Sequence, residues 1–281
     1  MLIRPLAPAF GAEVHDLDPA RELDDRTADE LREAFDRFGL LVLRGVELDV
    51  TAHDRLVGAL ADDGMVIPDR SQRPAYVSNR EPDSISPFGR LPFHTDLIWG
   101  DYPFRVVSLF AIELDPPVVP TLFASTVHGW DTLPPDLRAR AEGHEALQAS
   151  GQHMSGDDIV QLHHVQTHTR TTPLGYRHPR TGRTLLFVDQ QSTREIVGLP
   201  ADEGAELLDA LRDHLYRPDA IVTHEWREGD LVLWDNLAVQ HARGNVEIEG
   251  ATRTLRRAVS GAPIPAGAAA IRYGRSTPRP T

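Results

Sequence analysis

The segment Leu91–Trp99 contains a histidine and an aspartate two residues apart, His94 and Asp96. In a β-strand, residues i and i+2 point to the same side, so these two side chains can bind one metal ion together. The motif alone is weak evidence, because 13 histidines and 42 acidic residues among 281 positions give about two such pairs by chance. Other residues must therefore support it.

A second histidine, His241, follows a predicted strand that ends in a polar corner, and Arg253 and Arg257 come shortly after it. Two histidines and one carboxylate occupy one face of an octahedral metal and leave three positions open, which suits non-haem Fe(II) oxygen chemistry. The planar donors of an arginine match a carboxylate, so a nearby arginine suits a dicarboxylate co-substrate.

A further group of histidines, His163, His164 and His168, is a weaker candidate. His164 and His168 are four residues apart, a spacing at which a helix can bind metal. No acidic residue is spaced to complete that site. We interpret this group as a solvated surface or part of a lid.

The composition excludes several classes of chemistry. The chain has no cysteine, which rules out disulfides, iron–sulfur clusters, thiolate zinc sites and cysteine nucleophiles. All 29 basic residues are arginine, so a Schiff-base lysine and the lysine of a phosphate-binding loop are also absent. The net charge of −13 disfavours nucleic acid or an anionic membrane as a partner. With no apolar segment long enough to span a bilayer and no signal-peptide pattern, we expect a soluble, cytoplasmic protein.

Apolar periodicity predicts helices first and short strands afterwards. We expect a single domain over residues 1–281, in which the tail, about 262–281, is partly ordered. Residues 68–92, rich in Pro, Ser, Arg and Gly, are predicted to form a long surface loop. This order favours one β-sandwich with added helices. The predicted helices are Thr27–Phe38, Ala52–Leu60, Pro135–Leu147, part of 156–163, and Asp202–Leu215. The predicted strands are Leu40–Leu43, Val106–Phe110, Leu185–Val188, Ile221–Trp226, Leu231–Trp234 and Arg253–Val259.

Five ordered blocks make the chain resemble the taurine dioxygenase-like (TauD/TfdA) family of Fe(II)/2-oxoglutarate-dependent oxygenases, over about residues 2–263. The blocks are His94-Thr95-Asp96; Val118-Val119-Pro120-Thr121 with the run to Ser125; Pro173-Leu174, His178-Pro179 and 182–188; Gly229-Asp230, Trp234-Asp235-Asn236 and Gln240-His241; and Arg253 with Arg257.

The resemblance implies a mainly β fold with some helix: a double-stranded β-helix (jelly-roll, cupin-like) core with N-terminal and inserted helices. It also implies that His94, Asp96 and His241 bind Fe(II), with 2-oxoglutarate and O₂ as co-substrates. Arg253 and the Thr121 hydroxyl would bind the distal carboxylate of 2-oxoglutarate. Arg257 would meet an anionic group of the primary substrate.

The chain also departs from the family pattern. The Gly-Gly-Asp that usually precedes the threonine is Val118-Val119-Pro120 here, and Gly64–Pro68 replaces the histidine and tyrosine of taurine-using members. Taurine itself is therefore disfavoured. Trp99 is expected to line the substrate pocket or to pack beside the metal. Asp235 and Asn236 are expected to be turn residues or groups that orient His241.

The expected activity is oxidation of a C–H bond of a small, anionic substrate, with release of succinate and CO₂. The hydroxylated product can collapse to an aldehyde when a heteroatom is adjacent. Two alternatives stay open: the same machinery used for desaturation or cyclisation in a biosynthetic pathway, and a metal-binding jelly-roll module without turnover. The sequence also leaves open the substrate, the stereochemistry and whether the chain forms a homo-oligomer.

Overall fold

A computed structural model describes residues 1–6, 9–61, 74–82, 84–150 and 168–261 of the chain. The helix predicted within 156–163 and the predicted tail after residue 261 lie outside these ranges, as does the segment Gly64–Pro68.

The described residues form sixteen strands and five α-helices. The strands are β1 (Leu2–Pro5), β2 (Ala12–His15), β3 (Leu40–Leu43), β4 (Ala75–Ser78), β5 (Gly89–His94), β6 (Phe104–Leu114), β7 (Thr121–Ser125), β8 (Glu145–Ala149), β9 (Thr169–Pro173), β10 (Gly175–Arg177), β11 (Thr184–Leu186), β12 (Thr193–Val197), β13 (Ile221–His224), β14 (Leu231–Asp235), β15 (Val239–Val246) and β16 (Arg253–Gly261). The helices are α1 (Asp25–Phe38), α2 (Val50–Leu60), α3 (Thr126–Asp131), α4 (Pro135–Ala141) and α5 (Ala201–Leu215).

Two sheets face each other and form the jelly-roll core. The larger has seven strands in the order β1-β2-β3-β14-β6-β16-β4, and the smaller has four in the order β13-β7-β15-β5. Side chains from both sheets, among them Trp234 and Leu255 from the large sheet and Phe123 from the small one, fill one shared apolar core. The mainly β fold with a jelly-roll core is confirmed.

Helices α1 and α2 cover the outer face of the large sheet. The side chain of Asp24 accepts a hydrogen bond from the Thr27 amide at the start of α1, which satisfies one of the unpaired donors there. Leu31 and Phe35 then point inward and are fully buried with residues of β3 and β14. Gly39 ends α1 with φ 69°, and a Cβ there would lie 2.9 Å from a methyl of Val239. Glycine is needed there both for the left-handed turn and for the close approach of β15.

The segment between β7 and β13 adds a smaller layer, with α3, α4 and α5 packed on strands β8 to β12. Leu207, Leu211 and Leu215 on one face of α5 are buried there with Leu174 and Leu186. This smaller core holds the inserted helices against strands β8, β11 and β12.

Residues 68–92 were predicted to be a surface loop, and this prediction is wrong for two stretches, β4 and β5. Each lies at an edge of its sheet, β4 beside β16 and β5 beside β15. Edge strands tolerate proline and polar residues because one side of the backbone has no strand partner. Pro92 within β5 illustrates this composition.

The predicted helix Pro135–Leu147 is wrong in its second half. Helix α4 ends at Ala141, the chain turns through Gly143 with φ 80°, and β8 begins at Glu145. Buried Ala146 and Gln148 alternate with more exposed neighbours, which is the two-residue period of a strand rather than a helical face. Among the described helices, none combines the length and apolarity that crossing a membrane requires.

Candidate metal centre and active site

Strand pairing brings His94, Asp96 and His241 together. His94 is the last residue of β5, and its backbone is directly opposite that of His241 in β15. The two imidazole rings lie 4.1 Å apart between centroids. One ligand atom from each of the three side chains lies within 4.8 Å of the others. The structure thus places the three predicted ligands around one point.

Asp96 reaches this point from a turn, although the sequence argument placed it on the strand. Strand β5 ends at His94, and Leu97 has φ 62°. Asn236 holds the turn: its Oδ1 accepts a hydrogen bond from the Asp96 amide at 2.9 Å, and its Nδ2 donates to the Asp96 carbonyl at 2.8 Å. Nδ2 also donates to the Phe104 carbonyl at 3.1 Å. Asn236 therefore acts as a turn residue that positions Asp96, and its hydrogen bonds lead to Asp96 and Phe104 rather than to His241.

Asp235 shapes the corner that leads into β15. Its Oδ1 accepts hydrogen bonds from the amides of Leu237 and Ala238, and its Oδ2 lies 2.9 Å from Nε2 of His178. Nδ1 of His178 accepts from two backbone amides of its own turn, so Nε2 carries the proton that faces Asp235. His178, from the His-Pro block, thus stabilises the turn that precedes β15 and His241.

The charge states of the three side chains suit a metal ion. Burial raises the pKa of Asp96, but the charge of Arg257 and the hydrogen bond with His94 outweigh burial and keep this pKa well below its usual range. Burial and the neighbouring charge of His94 hold the pKa of His241 well below its usual range, so this imidazole is neutral and its lone pair is available. Within the part of the chain that the structure describes, Nδ1 of His241 is buried without a hydrogen-bond partner.

His94 is oriented by its own backbone. Its Nδ1 lies 2.8 Å from the Pro92 carbonyl, so this nitrogen donates a proton there and leaves Nε2 for the centre, 3.4 Å from Oδ1 of Asp96. Burial lowers the pKa of His94, but the hydrogen bond and charge of Asp96 outweigh it and raise the pKa overall. A bound cation would replace the proton that these two side chains share.

Arg257 lies against the carboxylate of Asp96. Its Nη2 donates to Oδ2 of Asp96 at 2.5 Å, and its guanidinium carbon lies 5.0 Å from the ring centre of Phe104. Nε and Nη1 make no hydrogen bond with the part of the chain that the structure describes. Arg257 therefore fixes the Asp96 carboxylate at the cavity wall, and its remaining N–H donors can bind a ligand.

Thr121 and Arg253 meet at the other end of the same cavity. Nη2 of Arg253 donates to the Thr121 hydroxyl at 3.2 Å, and Nε donates to the Val119 carbonyl at 3.2 Å. The altered loop before Thr121 thus supplies a backbone acceptor for Arg253. Burial, with a smaller effect of the Arg243 charge, lowers the pKa of Arg253 to about 9.

Trp226, which was not predicted from the sequence, supports Thr121 and Arg253 without itself lining the cavity. Its indole N–H donates to the Thr121 hydroxyl at 2.9 Å, and its ring lies 5.9 Å from the guanidinium carbon of Arg253. Both lone pairs of the Thr121 oxygen then accept hydrogen bonds, so its own proton is left to be donated to a ligand. Nothing in the spacing of Trp226 indicates this contact, which depends on how two distant segments meet.

One cavity connects the two ends and carries an excess of positive charge. Three arginines line it, Arg243, Arg253 and Arg257, against a single carboxylate, Asp96. Arg243 was also missed, although it lies two residues after His241 in the same strand, a spacing that puts both side chains on one face. The remaining lining residues are Val77, Ile85, Ser86, Leu91, His94, Val107, Leu109, Thr121, Trp234, His241 and Ala242.

Trp99 is buried and is not among the residues that line this cavity. Its indole stacks on the imidazole of His168 at 5.6 Å between ring centres. A contact between Trp99 and the substrate stays a prediction. His163 and His164 lie outside the described residues, so the structure does not test the second histidine group.

Comparisons with known proteins agree with this geometry. Residues 2–259 match the sequence model of the taurine catabolism dioxygenase TauD, TfdA family. The chain is 28% identical to the alpha-ketoglutarate-dependent 2,4-dichlorophenoxyacetate dioxygenase of Cupriavidus pinatubonensis, over 92% of this chain and 97% of that protein. It is 30% identical to the pentalenolactone F synthase of Streptomyces arenae, over 94% of this chain and 95% of that protein.

The chain also resembles solved structures in its fold. A taurine dioxygenase structure from Burkholderia xenovorans superposes with a TM-score of 0.78 at 22% identity, covering 94% of this chain and 91% of that one. Because the family match spans nearly all of the described residues and includes every predicted metal ligand, the chain belongs to the TauD/TfdA dioxygenase family.

Proposed function

We propose that the protein is an Fe(II)/2-oxoglutarate-dependent dioxygenase that oxidises a C–H bond of a small anionic substrate. The observation that carries the proposal is a single cavity with a His-Asp-His cluster at one end and a buried Arg253–Thr121 pair at the other. The first end suits a divalent metal and the second suits a carboxylate, which is the combination that a chelating keto diacid requires.

The donor set fits Fe(II). Two imidazoles and one ionised carboxylate are the donor set of non-haem iron oxygenases, and Nδ1 of His241, which has no hydrogen-bond partner among the described residues, belongs to a neutral ring. When bound, Fe(II) and 2-oxoglutarate together activate O₂ for C–H oxidation and release succinate and CO₂. His94, Asp96 and His241 would hold the metal, and Asn236 would keep Asp96 turned toward it.

The protein's own groups position the co-substrate. Arg253 presents a positive charge and the Thr121 hydroxyl presents a proton at the far end of the cavity, where the distal carboxylate of 2-oxoglutarate would bind. Burial strengthens these charge-assisted hydrogen bonds because little water competes for them. Trp226 keeps both groups in place.

The charge balance favours an anionic primary substrate. Three guanidiniums face one carboxylate in the cavity, so a dianionic co-substrate and a divalent metal leave the positive excess unchanged. Arg257, with free donors beside Asp96, is the proposed contact for the substrate anion. The dichlorophenoxyacetate named for the Cupriavidus relative is such an anion.

A biosynthetic oxidation, giving desaturation or cyclisation, is the second candidate. The similarity to a synthase, the pentalenolactone F enzyme, favours keeping it. Product analysis separates the two, since hydroxylation adds one oxygen atom to the substrate and desaturation removes two hydrogen atoms. A cytoplasmic location and a homo-oligomeric state are further proposals, which fractionation and light scattering test.

The decisive experiment measures succinate release and O₂ uptake with Fe(II) and 2-oxoglutarate while sulfonates, sulfates, carboxylates and phosphates are offered in turn. We expect slow uncoupled succinate release without substrate and strong stimulation by one anionic class. His94→Ala is the control and should release none. Absence of both uptake and succinate with every compound, in a protein shown to bind Fe(II), would instead identify a metal-binding module without turnover.

A further inference from the structure

Arg243 is a buried cation for which the described residues offer no carboxylate partner. Its side chain is 5% exposed. Nη2 donates to the carbonyls of Ser86 and Phe88 at 2.7 and 2.9 Å, whereas Nε is buried without a hydrogen-bond partner in the described ranges. Burying a charge that is not compensated is costly, so an anion bound beside this guanidinium would be stabilised.

The strand register places Arg243 beside the carboxylate end of the cavity. In the small sheet its backbone pairs with that of Thr121 in β7. Both residues line the cavity together with Arg253, which enters from β16 in the opposite sheet. The positive charges of Arg243 and Arg253 act on each other. Two guanidiniums and one free hydroxyl proton thus face a common space, which suits an anion placed between them.

We infer that Arg243 is a second guanidinium for the distal carboxylate of 2-oxoglutarate, acting together with Arg253 and Thr121. The inference rests on the proposed function and deepens it. A carboxylate has about four lone-pair positions, so it accepts hydrogen bonds from all three groups at once. Removing that carboxylate leaves two buried cations unpaired, and the site should therefore reject 2-oxo acids that have only one carboxylate.

The test compares 2-oxoglutarate with 2-oxovalerate, which has the same carbon chain without the second carboxylate. Dissociation constants are measured by calorimetry on the Fe(II)-loaded protein under anaerobic conditions, so the readout does not depend on turnover. We expect Arg243→Gln to weaken 2-oxoglutarate binding by about 100-fold and 2-oxovalerate binding by less than about 3-fold. Arg253→Gln should show the same pattern.

Arg256 provides a matched control. It is buried like Arg243, and its Nη2 also donates to two backbone carbonyls, those of Leu48 and Asp49, but it points away from the cavity. Arg256→Gln should leave the affinity for 2-oxoglutarate unchanged. A general loss of packing would instead affect both variants alike, and that result would overturn the inference.

The outcomes separate the two levels of the proposal. If the wild type does not bind 2-oxoglutarate, the proposed function fails. If the wild type binds and Arg253→Gln loses affinity while Arg243→Gln stays within about 3-fold of the wild type, only the role of Arg243 is refuted. Should Arg243→Gln lack a cooperative thermal transition, Arg243→Lys decides: loss of the planar fork should weaken 2-oxoglutarate binding about 3- to 10-fold, and an unchanged affinity refutes the role.

Discussion

Replacing Asn236 with alanine tests how the turn after β5 positions Asp96. The Asn236 side chain is fully buried and makes three hydrogen bonds with backbone groups of Asp96 and Phe104. At about 1 kcal/mol net for each bond, the loss of unfolding free energy is about 3 kcal/mol. For a chain of this size, the expected fall in Tm is roughly 6–12 °C.

The same substitution should weaken metal binding, because the backbone of Asp96 loses the side chain that holds it. Loss of a group that orients a metal ligand typically costs about 10- to 100-fold in affinity. Anaerobic calorimetry with Fe(II) measures this, and differential scanning calorimetry of the metal-free protein measures the stability loss separately.

Asn79 supplies the control for this experiment. Its side chain also makes three hydrogen bonds with backbone groups, donating to the carbonyls of Glu247 and Ala251 and accepting from the Arg253 amide. Asn79→Ala should lower stability without changing the Fe(II) affinity. The reasoning is refuted if Asn236→Ala binds Fe(II) as tightly as Asn79→Ala does.

Three further predictions follow from the site and its surroundings. His94→Ala or Asp96→Ala should abolish both Fe(II) binding and the visible charge-transfer band expected on anaerobic addition of Fe(II) and 2-oxoglutarate; full turnover by either variant would show that the ligand assignment is wrong. Trp226→Phe removes one hydrogen-bond donor from Thr121 and should weaken 2-oxoglutarate binding by roughly 2- to 10-fold in calorimetry, whereas an unchanged affinity would mean that the indole N–H does not orient the hydroxyl. Burial, with a smaller effect of the Arg256 charge, lowers the pKa of His53 to about 3, so protonation favours the unfolded state. The free energy of unfolding should therefore fall as the pH drops below about 6.5, by about 2 kcal/mol at about pH 5. Urea denaturation should detect this loss in the wild type and find it absent in His53→Gln.

Local patterns in the sequence were sufficient for most of the fold. Helix α1 is predictable because its capping aspartate, apolar stripe and terminal glycine are contiguous in the chain. Strands β4 and β5 are not, because their edge positions remove the alternation that identifies a strand with two neighbours. Whether a segment lies at an edge depends on its distant partners, which a local pattern does not show.

The candidate site, like the fold, could be predicted from the sequence only in part. The residues predicted from the family blocks, including His94, Asp96, His241 and Arg253, converge on one cavity. Trp226 and the hydrogen-bond partner of Asn236 were not predicted, since each acts on a residue contributed by a remote part of the chain. The hydrogen bond between Asn236 and Asp96 spans 140 residues, for example. Arg243 was missed although its spacing from His241 is a local signal.

The position of β16 between β6 and β4 has a consequence for how the chain folds. The amide of Arg253, where β16 begins, bonds to Asn79, which is 174 residues earlier, so β4 and one side of β6 have no sheet partner until β16 has been synthesised. Strands with an unpaired edge are prone to associate with other chains. Closing such a long loop is also slow, because its entropy is lost before the contacts form. We therefore expect nascent chains that stop before residue 253 to depend on chaperones. The strand that supplies Arg253 to the carboxylate end of the cavity, β16, is also the strand that joins β4 to β6.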